Sequence, residues 1–391
     1  MVRHSTKEDE SNHCLDSTRM FHWCKEVPLD KAILTHRTAA QMQFQDHIVV
    51  SIFGDINSTL IGLRDFVMPL RTSNLKYKEL KPIVFLGELD YLTREWKSIQ
   101  YFPKLFIFPG SGLSHANLRS VNIYNCSMCV ILSSIWLGNT AHYIKDTECI
   151  LATLNMRSMT VKKTTYNTAF LRVPIQNGPA SKIPVITELK QASDVTFINE
   201  DVARQSQCTE TNPYLTAAFA SGSVFSEDFL DSLMSMSYFN WQVLALLQIL
   251  VTGGTTPDLE EQLAEENVLI KSTPNTAHAA PRNRCKLSLL PLTDHRLKTS
   301  KGSTYGDLFC NALTSSGIIC FGIYRLMDTT NQHLRYVITR PPKNLVLQDT
   351  DLLYCVVPYK EQPDTLECGG STSLAVTEIC SLSTEDSNSE H

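Results

Sequence analysis

The chain has no long hydrophobic run, no excess of positive charge, too few cysteines for a disulfide framework, and no glycines where a nucleotide would need them. A membrane-spanning helix takes roughly 20 apolar residues. The longest apolar stretch, Val243 to Val251, is broken by Gln248 and makes only about two helical turns; its spacing reads as a buried core helix. The N-terminus carries Arg3, His4, Lys7, Glu8, Asp9 and Glu10 with no apolar core, so no secretory signal is expected. The net charge is -5, which excludes a global field that would attract nucleic acid. Twelve cysteines in 391 residues are too sparse for a disulfide scaffold. Cys126, Cys129, Cys310, Cys320 and Cys355 lie inside apolar runs, where a free thiol packs as a small apolar side chain. A soluble chain in a reducing compartment is the expectation.

What is present is an alternation. His47–Phe53, Ile83–Gly87, Leu105–Phe108 and Met128–Leu132 are continuous apolar runs of strand length, as expected of parallel strands covered on both faces. Between them lie helical spacings: Leu60, Leu63, Val67 and Leu70, with Asn57 or Ser58 as cap, then a stretch through Leu92, Trp96 and Ile99, then Ser114–Ser120. This rhythm predicts βαβ crossovers and a Rossmann-like α/β sheet. A helix over Glu148–Met159, strands at Ile183–Thr187 and Val195–Ile198, and helices over Ser223–Ser237 and Trp241–Thr252 follow, with a further helix opening at Pro257 and a linker over 271–284. A smaller α+β module closes the pattern: strands at Cys285–Leu292, Ile318–Leu326, Arg335–Thr339 and Leu352–Val357, and a helix at Tyr305–Ser316. Residues from Lys360 onward are polar and read as a disordered tail.

Chemistry-bearing motifs are weak. A dinucleotide fingerprint needs a second glycine so that backbone can approach the pyrophosphate, and a third for helix packing. Here Ile56 and Thr59 stand at those places, and Asp55 sets negative charge where phosphate would sit. Glu88 after the second strand is a lone candidate for a ribose hydroxyl. Cys126-x-x-Cys129 has metal or redox spacing but no second pair, and core packing is favoured. Cys14, His22 and Cys24 make a weaker metal candidate. No nucleophile elbow, P-loop, HExxH or EF-hand loop occurs, so no catalytic residue is assigned. An NAD(P)-dependent cytosolic oxidoreductase remains the rival reading.

Several stretches together resemble one family. Phe21-His22-Trp23-Cys24-Lys25, Ile52-Phe53-Gly54-Asp55, Val67-Met68-Pro69-Leu70-Arg71 and Arg94-Glu95-Trp96 are similar to the second RCK domain of Slo large-conductance potassium channels. So are Asp231-Ser232-Leu233-Met234-Ser235, Leu250-Val251-Thr252-Gly253-Gly254, Tyr305-Gly306-Asp307-Leu308-Phe309-Cys310 and Cys320-Phe321-Gly322-Ile323-Tyr324-Arg325-Leu326. The resemblance spans roughly residues 19–358. It implies a non-enzymatic regulatory part: a linker over 1–46, an RCK N-lobe over 47–200, a loop and helical dimerisation segment over 201–284, an α+β C-lobe over 285–358 and a tail over 359–391. It also implies assembly with other RCK domains into a homotetrameric gating ring, possible auxiliary channel subunits, no cofactor, no nucleic acid, and contact with a membrane only through a pore region that this chain lacks.

One departure from the family pattern matters. Where calcium-activated members carry a run of aspartates before Tyr-Leu-Thr, the loop ahead of Tyr214-Leu215-Thr216 offers Glu200, Asp201 and Glu210, with Arg204 opposing them. Calcium takes six to eight oxygen ligands, several of them carboxylates, so this degenerate bowl is expected to hold no metal. The pattern resembles the pH-sensitive, calcium-insensitive branch of the family, found in sperm. That resemblance implies a titrating group that favours one ring conformation; His47 and His115 are the candidates.

Overall fold

The computed structural model describes residues 13–16, 20–134, 146–166, 184–198, 212–252, 284–297, 302–327 and 335–359. The strand-and-helix rhythm resolves into two lobes. The larger is built on six parallel strands in the order β5-β4-β3-β6-β7-β8. It is preceded by a hairpin, β1 (His13–Leu15) with β2 (His22–Cys24), and by helices α1 (Leu29–Ala32) and α2 (His36–Met42). Then come β3 (Ile48–Phe53), α3 (Leu63–Val67), β4 (Ile83–Gly87), α4 (Leu89–Ile99), β5 (Leu105–Pro109), α5 (His115–Ser120), β6 (Met128–Ser133), α6 (Thr147–Tyr166), β7 (Val185–Leu189), α7 (Ala217–Ala220) and β8 (Val224–Ser226). A helical hairpin follows, α8 (Asp228–Phe239) and α9 (Gln242–Thr252). The smaller lobe is an antiparallel sheet in the order β11-β10-β12-β9, with β9 (Arg284–Pro291), α10 (Tyr305–Ser316), β10 (Ile319–Leu326), β11 (Arg335–Thr339) and β12 (Leu352–Tyr359).

Side-chain alternation explains why the central strands are apolar throughout. Ile48, Val50 and Ile52 face one core with Leu63, Val67, Leu92 and Trp96 of α3 and α4. Val49 and Phe53 face the other, with Ala39, Leu118 and Met156 of α2, α5 and α6. A third core under the small lobe collects Leu308, Ala312, Cys320, Ile323, Leu353 and Cys355. The lobes touch where Asn74 Nδ2 donates to the Cys285 carbonyl at 2.7 Å and Lys286 pairs with Glu79 at 2.7 Å.

Four expectations need correction. Residues 1–46 were expected to be a linker, but from Met20 onward the chain is part of the large lobe. Trp23 stacks on Tyr101 at 5.2 Å, Trp96 Nε1 donates to the Val27 carbonyl, and Leu34 N bonds the Ile107 carbonyl at the sheet edge. Aromatic burial outweighs the polar composition of that segment. The first helix does not start at Asn57 or Ser58; Asp55 Oδ1 instead closes a turn, accepting from Asn57 N at 2.9 Å and Ser58 Oγ at 2.8 Å, and α3 begins only after Gly62 at φ +80°. Val195–Ile198 is not a strand: Ala192–Phe197 forms a 3-10 turn, because Asp146 takes the amides of Lys190 and Gln191 and ends β7 there. The sixth strand is Val224–Ser226, inside the span expected to be helical, and α8 starts at Asp228. The helix expected from Pro257, the linker up to residue 283 and the tail from residue 360 lie outside the described residues.

Candidate functional site

The turn after β3 is where a Rossmann fold would take a phosphate, and here it is stapled shut by its own chain. A Cβ on Gly54 would lie 2.9 Å from Tyr91 Cε2 and 3.1 Å from Ser134 Cβ, so the glycine makes room for a tyrosine rather than a pyrophosphate. Tyr91 Oη accepts from Ile61 N at 2.9 Å and has the Thr59 carbonyl and Glu95 Oε1 in reach of its proton. Glu95, buried, accepts from Gly62 N at 3.0 Å and Leu63 N at 3.1 Å. Arg94 ties the Ile56 and Ser58 carbonyls at 2.6 and 3.0 Å. The amides that open α3 therefore already hold a carboxylate, the charge type such amides favour. Glu88 stands exposed before α4, away from this network. None of this is readable from local spacing, because Glu95 lies 33 residues beyond Gly62.

The second feature is a surface. In α8 no side chain is buried, and along the hairpin Tyr238 is 85% exposed, Phe239 84% and Trp241 78%. Leu244, Leu246 and Val251 of α9 are exposed as well, so the stretch expected to be a buried core helix is open among the described residues. Aromatics at this density on one hairpin exceed what scattered surface residues explain and mark an interaction surface. Beside α3, on the same sheet face, an apolar groove of about 330 Å³ is lined by Phe66, Met128, Leu132, Ile186 and Phe225 together with Glu188.

The candidate titrating and metal-binding residues do not converge. His47 is fully buried; its Nε2 bonds the Val121 carbonyl at 2.9 Å, its Nδ1 has no partner, and its ring lies 5.3 Å from that of Phe44. Burial lowers its pKa from 6.5 to about 4, against smaller raising effects from Val121 and Asp46, so the ring is neutral at physiological pH. His115 is half-buried at the start of α5, with Nε2 enclosed and partnerless. Glu200, Asp201 and Glu210 lie outside the described residues. Cys126 and Cys129 have Sγ atoms 3.3 Å apart inside the second core, where their mutual hydrogen bond and burial push the Cys129 thiol up. The groups of the Cys14, His22 and Cys24 hairpin point to separate carbonyls, of Trp23, Leu75 and Tyr101. Among the described residues no cluster of three His, Cys, Asp or Glu side chains is arranged to hold a metal, and no helix is long and apolar enough to cross a membrane.

A wound parallel sheet with its phosphate seat filled internally, a protruding apolar helical hairpin and a small antiparallel lobe define a regulatory domain of the RCK type. Residues 43–187 match the calcium-activated potassium channel slowpoke-like RCK domain, and residues 243–357 match the TrkA_C-like domain of the Ca2+-activated K+ channel Slowpoke. The chain belongs to this Slo family. It is 41% identical over 371 residues to potassium channel subfamily U member 1 of Mus musculus, covering 92% of this chain and 33% of that protein. The Homo sapiens protein of the same name is 40% identical over 370 residues, covering 92% and 32%. The solved human SLO3 gating ring matches with a TM-score of 0.66 at 41% identity, over 88% of this chain and 53% of that one. The chain spans about a third of the length of these curated relatives. They are potassium-channel proteins rather than enzymes, which sets aside the oxidoreductase reading.

Proposed function

We propose that this chain is the second RCK module of a gating ring at the cytoplasmic face of a potassium channel, where it couples internal pH to pore opening. The observation that carries the assembly part is the uncovered α8–α9 hairpin, an apolar surface of the kind a neighbouring RCK domain would bury. The likeness to a solved gating ring supports the same reading. In it the filled seat at Gly54–Leu63 makes the sheet a rigid lever rather than a cofactor cradle, four copies close the ring, and the pore belongs to sequence outside this chain. The lobe boundaries near residues 200, 284 and 358, the contribution of auxiliary subunits and a place in the sperm flagellum belong to the same proposal.

The pH-coupling part rests on the likeness to subfamily U and on the thin carboxylate set at Glu200, Asp201 and Glu210. The second reading, a calcium-activated gating domain, is favoured by the description of the matching family. Isothermal titration of the chain with calcium separates them. The pH-gated reading expects no heat of binding at micromolar calcium, and a dissociation constant in the low micromolar range would transfer the assignment to the calcium-activated branch. Of the two histidine candidates, His47 is neutral in this conformation and would respond only if the ring transition opened its pocket. His115, nearer the surface, is the other.

A further inference from the structure

Two thiols face each other across the middle of the small lobe, away from every site above. Cys320 on β10 and Cys355 on β12 are directly opposed in the antiparallel register, and their Sγ atoms lie 3.3 Å apart. Both side chains belong to the third core, with Leu308, Ile323 and Leu353, and both residues are fully buried. Residues opposed in an antiparallel pair have Cα atoms roughly 4.5–5.5 Å apart, inside the span of roughly 4.4–6.8 Å that a disulfide bridges. The strands therefore already hold the two sulfurs where a cross-strand link would form. Cys126 and Cys129 show the same 3.3 Å spacing, but they stand three residues apart in one segment, so a link there closes only a small ring. A link from Cys320 to Cys355 spans a sequence separation of 35 residues and ties two strands together.

We propose that Cys320 and Cys355 form a modification site, a dithiol that a peroxide converts to a disulfide, pinning β10 to β12. Burial selects the oxidant. A disulfide the size of oxidised glutathione cannot reach a sulfur that has no exposed surface, whereas hydrogen peroxide is close to water in size. The pairing of β10 with β12 shifts register between Cys320 and Gly322, and such a bulge locally disrupts the ladder next to the first sulfur.

The hydrogen bond between the sulfurs gives the pair a direction. It holds the Cys320 thiol below its ordinary range and pushes that of Cys355 up, so Cys320 is the sulfur that becomes thiolate and attacks. The Cys320 thiolate takes one peroxide oxygen, the O–O bond breaks, and the departing hydroxide leaves as water with the proton that Cys320 released. Cys320 is then a sulfenic acid. The Cys355 sulfur displaces its hydroxyl: the S–S bond forms as the S–O bond breaks, and the hydroxyl leaves with the Cys355 proton as a second water. Two thiols are oxidised and one peroxide is reduced. Cys310, exposed on α10 of the same lobe, lies open to any oxidant and reports whether one was active. The inference stands apart from the gating reading, since it concerns the chemistry of the small lobe alone.

The test is peptide mapping of the whole chain by mass spectrometry after hydrogen peroxide, at a dose that oxidises Cys310, with oxidised glutathione in a parallel sample. The expected result is a Cys320–Cys355 cross-linked peptide, released by dithiothreitol, and no glutathione adduct on either residue. The linked chain should melt at a higher temperature than the reduced chain, because closing a loop of that length removes freedom from the unfolded state. In Cys355→Ser the Cys320 sulfenic acid meets no second thiol and should be trapped by dimedone. A pair that stays as thiols while Cys310 is oxidised overturns the proposal, as does a link confined to Cys126 and Cys129. Glutathione added to Cys320 or Cys355 would overturn the choice of oxidant, and a melting temperature that does not rise on linking would overturn the pinning. Should Cys355→Ser fail to fold, the map of the wild-type chain still decides.

Discussion

At the residue scale, Glu95 decides what the sheet can do. It fills the amides where a nucleotide phosphate would bind, and it does so buried. Glu95→Gln keeps the shape but turns one acceptor into a donor facing backbone N–H groups. A loss of about 1–3 kcal/mol in urea unfolding is expected, the scale of leaving buried donors unpaired, with no gain of NADH fluorescence. In the small lobe, Arg325 grips buried Asp351 through two bonds, at 3.0 and 2.7 Å, and also bonds the Val346 carbonyl. Asp351→Asn strands a buried cation, and a drop of about 3–5 kcal/mol is expected in the same experiment. His47 gives a pH signature. Its folded pKa of about 4 lies below the unfolded 6.5, so the unfolded chain binds the extra proton between them. Stability is full above 6.5 and falls by about 3 kcal/mol as pH drops toward 4. His47→Phe should flatten that slope in denaturant midpoints measured across the interval; an unchanged slope would place the titration elsewhere.

At the element scale, the parallel strands were legible because strands covered on both faces must be apolar at every position, as β3 and β4 are. Helix α10 was legible end to end because its signals are local: Thr304 caps with Asp307, and Gly317 at φ +65° stops it. The loop before α3 was not, since its organising residue, Glu95, arrives on the next helix. Strand β8 has three residues, too few for a periodicity. The α9 stretch Val243–Val251 was misread as buried for a different reason. Hydropathy reports that a surface is apolar, not whether its partner lies in the same chain. The exposure of the α8–α9 hairpin yields a prediction: Phe239→Glu with Trp241→Glu should leave chain stability within about 0.5 kcal/mol, yet reduce self-association in light scattering. Loss of folding in that variant would mean that the hairpin packs within its own chain.

At the scale of the whole molecule, the parts fit a mechanical role. The large lobe is cross-braced on both sheet faces, and its junction to the small lobe is tied by Asn74 to Cys285 and Glu79 to Lys286. The apolar hairpin lies between them in sequence, and its aromatic residues stay exposed among the described residues. The unsuitability of the seat for a nucleotide was legible from the missing glycines, while the internal carboxylate that fills it appears only in three dimensions. In the proposed role this segment makes a potassium pore respond to internal alkalinity. The most direct measurement is inside-out patch recording from a calcium-activated Slo channel whose second RCK segment is replaced by residues 20–359 of this chain. Opening should increase as the inner face is made alkaline and be indifferent to micromolar calcium; currents that ignore pH and still rise with calcium would overturn that role.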